Sequence, residues 1–212
     1  MDPDSTAKVY NLIISLPVLL WSLTVHEWAH AWSAHKCGDD TALYEGRVSL
    51  NPLVHLDPIG TLFIIVSFFG NGFGFGWAKP VPVNHFNFRY PSRDDIIVSL
   101  AGVTANLLNA LFFAAVFQLL RRVEASQWIA VPLIMAQVGV FTNLALMFFN
   151  LIPIPPLDGS HVLHAYLPYH LQREYDRIAP YGLFILFGLI IIGATRYLIA
   201  VPTFLIGGFL LH

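Results

Sequence analysis

The chain has 212 residues, 56% of them hydrophobic and only 11% charged, with a formal net charge of −2. Soluble domains carry about 25% charged residues, so this composition excludes an ordinary soluble globule and points to a polytopic membrane protein. No Lys/Arg cluster suggests nucleic acid, and the one cysteine, Cys37, excludes an internal disulfide.

The N-terminal stretch MDPDSTAKVYNL is acidic before its first lysine and lacks a basic leader region. The first apolar run, Val9 to about Ala34, therefore reads as a retained helix, with a kink expected at Pro17. Its later half contains HEWAH, an H-E-x-x-H pattern. Residues four apart share a helix face, so His26 and His30 can converge on one tetrahedral Zn²⁺. Glu27 is then placed to take a proton from the attacking water. The bland alternative is hydrogen bonding between helices of a bundle. Ionisable residues inside a span are costly, however, and default to function.

The second run, Ile59 to Phe69, is too short to cross, since a span takes about 20 helical residues. It continues into the glycine-rich GNGFGFGWAKPVPVN, a poor helix. Non-helical backbone at membrane depth needs protein or a water-filled cavity around it. The expected element is re-entrant: a short helix goes in and an extended segment around Gly72 to Val83 comes back. Just before it, His55 and Asp57 raise the idea of a metal site, but a loop and helix-start role is favoured. Re-entry also sharpens the charge asymmetry. It puts Lys36, Arg47, Lys79, Arg89, Arg93, Arg173 and Arg177 on one side, which becomes cytoplasmic, and Lys8, Arg121, Arg122 and Arg196 opposite.

The third run, Ile96 to Leu120, carries Asn106, which either faces the site or packs between helices. The fourth, Ile129 to about Ile152, is stopped by Pro153, Pro155 and Pro156. Asp158 follows the break. Locally, LDG is either a turn with Asp158 capping the next helix or the source of a third metal ligand. If the second run re-enters, the first and fourth helices point the same way and bring His26 and Asp158 to one depth, which favours the ligand. His161 and His164 follow as weaker candidates around the site. The last run, Tyr181 to Leu211, is interrupted by Arg196 and Pro202. The expectation is an all-α polytopic membrane protein of about five transmembrane helices. To these it adds a re-entrant helix/extended-strand element around residues 59–84, all in one membrane-embedded domain over 1–212.

HEWAH together with NLIPIPPLDG, complete from Asn150 to Gly159, resembles the two signatures of the site-2 protease family of intramembrane zinc metalloproteases. NPLVHLDPIGTL and GWAKPVPVN are similar to segments of its compact members, those without PDZ or CBS domains. One departure is AGVTAN, where Val103 stands in place of a common proline. The resemblance implies one Zn²⁺ per chain held by His26, His30 and Asp158, with Glu27 as catalytic glutamate and Asn150 as an active-site polar group. Asn150 then serves as an oxyanion donor; an interhelical hydrogen bond is its alternative. It further implies a multi-pass protein of the cell (inner or plasma) membrane whose site lies near the cytoplasmic face and whose substrates are transmembrane proteins. Gly74 and Gly76 are expected to bind the unwound substrate by strand addition. The rival functions are a metal-binding or transport protein and a catalytically inactive relative.

Overall fold

The computed structural model describes residues 3–71, 76–123 and 127–212. Apolar runs in lipid must satisfy their backbone internally, which leaves helices as the economical solution. Three are long and apolar enough to cross a membrane: α1 (Pro3–Cys37), which continues through Pro17; α4 (Pro91–Leu120); and α5 (Gln127–Asn150). Between α1 and α4 lie the one-turn α2 (Thr41–Tyr44) and the short apolar α3 (Pro58–Asn71). After α5 come α6 (Asp158–Tyr166), α7 (Tyr169–Ile178), α8 (Gly182–Ile191) and α9 (Val201–Leu211).

Among the described residues the helices long enough to cross number three, or four if the final pair counts as one broken span. Its halves, Tyr169–Ile191 and Arg196–Leu211, meet at 84°. The break falls at Gly193, whose φ of +74° lies in the left-handed region that glycine tolerates, followed by a π-helical turn over Arg196–Ala200.

Side-chain contacts set the helix directions. Trp21, Ser22, His26 and His30 of α1 meet Asn109, Asn106, Asn106 again and Val98 of α4, a descending series that makes the two antiparallel. Asn106 meets Asn143, whereas Phe113 meets Gly139, so α4 and α5 are antiparallel too. Hence α1 and α5 run the same way, and the end of α1 lies beside the start of α4, where Arg89 N donates to Cys37 O. The chain between them returns to the side it left. Val103, Ala110, Ala114, Val140, Leu144 and Met147 form the apolar core of the α4–α5 seam.

The returning segment from Gly76 to Asn84 is extended, and no strand ladder exists among the described residues. Instead it is clamped from the side. Lys79 N donates to His55 O, and buried Arg47 donates through Nη2 to the carbonyls of Lys79 (2.6 Å) and Pro80 (3.3 Å). Asn84 N and Asn87 Nδ2 both donate to the buried carboxylate of Asp39, just past α1. His55 is a structural residue here, its Nε2 donating to Ser49 O, and Asp57 caps α3 by accepting from Gly60 N.

Candidate metal centre

H-E-x-x-H spacing on a continuous helix turns His26 and His30 toward α4, and both imidazoles are buried. Each has its Nδ1 engaged: His26 donates to Asn106 Oδ1 at 2.7 Å and His30 to Val98 O at 2.8 Å. That hydrogen bond fixes the tautomer and leaves each Nε2 with a lone pair. The two Nε2 atoms sit 3.0 Å apart, and Asp158 Oδ2 lies 3.4 Å from both. Asp158 gets there because the proline-broken turn after α5 starts α6 at the same depth as His26, as the parallel run of α1 and α5 requires.

Three electron-pair donors thus converge with nothing to donate to them. Asp158 Oδ2 is buried and has no hydrogen-bond partner. A lone carboxylate oxygen facing two imidazole lone pairs is unfavourable without a cation. The spacing fits one: a tetrahedral centre with bonds of about 2.0–2.1 Å places its ligands about 3.3 Å apart. The chain also leaves room. A Cβ on Gly102 of α4 would lie 2.3 Å from His30 Nε2 and 2.6 Å from His26 Cε1. The donor set, two imidazoles and a carboxylate with an open fourth position, suits zinc.

Glu27 is half-buried beside this triad, its Oε2 accepting from Val81 N at 2.9 Å. The carboxylate therefore touches the returning extended segment. Asn150 is the last residue of α5; its amide donates to Leu146 O of its own helix at 3.0 Å. Asn106 is fully buried and touches His26 directly. Gly76 packs against α3, where an added Cβ would meet Gly60 O at 2.3 Å. Its lack of a side chain is thereby explained by close backbone approach. Gly74 lies outside the described residues. His161 and His164 line a different cleft, paired with Asp95 and Asp176.

Sequence reasoning missed the relay behind Asn106. Its amide donates to Asn143 Oδ1 and Ser22 O; Asn143 in turn donates to Ser22 Oγ and accepts from Asn109, which itself accepts from Trp21 Nε1. The available signal was four polar residues on apolar helices, which membrane burial makes expensive unless they pair.

The model of peptidase family M50 matches residues 14–193. Among curated proteins, the chain is 39% identical over 179 residues to "Putative zinc metalloprotease YwhC" of Bacillus subtilis, covering 83% of this chain and 77% of that one. It is 32% identical over 194 residues to "Putative zinc metalloprotease Rip2" of Mycobacterium tuberculosis, covering 91% and 70%. An archaeal relative, "Putative zinc metalloprotease MJ0611" of Methanocaldococcus jannaschii, is 27% identical over 159 residues, 74% of this chain and 72% of that protein. No solved structure matches.

Proposed function

Since the chain belongs to peptidase family M50, the site-2 protease family, we propose that it is a zinc-dependent endopeptidase hydrolysing peptide bonds within or near transmembrane segments of other membrane proteins. The reading is carried by the convergence of His26 Nε2, His30 Nε2 and the orphaned Asp158 Oδ2, with a glutamate carboxylate adjacent. These three residues would hold the catalytic ion. A zinc ion there supplies Lewis acidity and lowers the pKa of water toward about 7.

Glu27 is the proton carrier: its carboxylate takes a proton from the attacking water and returns it to the leaving amine. Asn106 and the Val98 carbonyl hold the imidazoles in the ligating tautomer throughout. Asn150 swings its amide from Leu146 O to the developing oxyanion. A substrate helix has its own backbone satisfied and must unwind before attack. The segment from Gly76 to Asn84, touching Glu27 through Val81, is where the unwound strand aligns. The excess of lysine and arginine in the loops at this end supports a cytoplasmic orientation of the site.

A transporter would spread its ionisable groups over several depths, and an ion path has no use for Glu27 beside the first histidine. The decisive experiment incubates purified protein with single-span substrates, with and without a chelator, and maps fragments by mass spectrometry. Chelator-sensitive cuts inside the hydrophobic segment are expected. Cuts that survive chelation would sink the proposal.

A further inference from the structure

Outside the triad, a second convergence of ligating side chains lies in an open cleft of about 610 Å³ between the start of α4, the turn before α6, α6 itself and α7. His85 Nδ1 lies 3.1 Å from Asp95 Oδ1, and His161 Nδ1 lies 3.9 Å from the same oxygen. One ligand atom from each residue falls within 4.8 Å of the others. The two imidazoles stack nearly parallel, 16° apart, with centroids at 5.7 Å.

We propose that His85, Asp95 and His161 form a second site for a divalent transition-metal ion of the zinc class. The three residues come from separate elements, so no local turn explains their meeting. His85 sits in a 3₁₀ turn, His85–Asn87, which is anchored by the Asn84 cap and by Asp39. Asp95 is the fifth residue of α4, and His161 the fourth of α6. Donors held on well-anchored elements need little ordering to bind.

The donor set repeats that of the triad, two imidazoles and a carboxylate, which favours borderline cations such as zinc over the all-oxygen preference of calcium or magnesium. Both imidazoles offer a ring nitrogen to the same carboxylate oxygen, the arrangement a bridging cation needs. The guanidinium of Arg93, two residues before Asp95, is paired with Asp94 at 2.8 Å. His85 and His161 are about half exposed, free to close the up to about 1.5 Å that tetrahedral spacing requires. A bound ion joins the returning segment that touches Glu27 to the helix that carries Asp158.

The test is a zinc titration of the purified full-length chain against a chromophoric chelator, read as metal per protein. The wild type should saturate at about two zinc ions per chain. The His85→Ala/His161→Ala double variant and Asp95→Asn should each saturate at about one, keeping the tighter equivalent and the thermal midpoint of the parent. Saturation of the wild type at one ion overturns the proposal, as does a second equivalent that survives in the double variant. A wild-type count of one overturns it even if a variant folds poorly. It requires no proteolysis, so it stands or falls apart from the proposed activity.

Discussion

His26 donates from Nδ1 to the Oδ1 of Asn106, 80 residues away in sequence, across a 2.7 Å hydrogen bond buried between α1 and α4. The amide of Asn106 is in turn committed to Asn143 and to Ser22 O, so its oxygen cannot flip away from the imidazole without breaking two further bonds. The ligand is oriented by an amide that is itself oriented.

Asn106→Ala should therefore weaken zinc binding by about 10–100-fold, the usual effect of removing a partner behind a histidine ligand. Asn106→Asp, which keeps the acceptor, should recover much of it. Competition with a zinc chelator measures both, and wild-type affinity in the alanine variant would refute the orienting role.

Glu27→Gln should keep its zinc and lose hydrolysis by at least about 10²-fold, the lower range for general acid–base catalysis. The glutamine oxygen can still accept from Val81 N, so the extended segment stays in place. Metal analysis alongside a cleavage assay separates the two properties; a fully active variant would remove Glu27 from the chemistry.

Gly102→Ala puts a methyl group 2.3 Å from His30 Nε2. Overpacking of this kind costs about 1–3 kcal/mol, here exerted on the ligating nitrogen. Zinc affinity should drop about tenfold or more, measured by the same competition. Undiminished affinity would show that α4 can retreat from the imidazoles.

Gly76→Ala meets the carbonyl of Gly60, a backbone atom that cannot step aside. The extended segment should lift off α3 and pull Val81 from Glu27. Cleavage should then fall about tenfold, as misplacement by about 1 Å does, with zinc content unchanged. Unaltered turnover would disconnect this segment from catalysis.

Asp39 accepts from Thr41 N and Thr41 Oγ1, Asn84 N and Asn87 Nδ2. Burial pushes its carboxyl upward, but these donors outweigh it and hold the pKa below the usual carboxylate value. A carboxyl that titrates lower when folded stabilises the fold fully above the unfolded pKa of about 3.9. That contribution is lost as pH falls through the folded value. Asp39→Ala orphans several donors at about 1–3 kcal/mol each. Its thermal midpoint should be lower at neutral pH, with the gap to wild type narrowing in acid. A constant gap across pH would contradict this.

His26, Glu27, His30 and Asp158 were legible because their signals are local: helical spacing for the first three, a proline-broken turn for the last. The return of the chain between α1 and α4 was legible from the shortness of the run at Ile59. Asn143, Arg47 and the Val81 amide were not, since their importance lies in contacts between residues far apart in sequence. Hydropathy is blind to backbone direction, so the sharp corner that Gly193 gives the last apolar run was not legible. Gly76, expected to bind the unwound substrate, also lets two main chains touch, a contact with residues distant in sequence.

The missing side chain at Gly102 also acts as a ratchet stop. Were α4 to slip along α1 by one residue, or turn by about 100°, Ala101 or Val103 would push a methyl into the imidazoles. Only a single alignment of the two helices leaves the donors unobstructed, so a correctly assembled bundle and a metal-competent one are the same object. Misassembled chains cannot be armed.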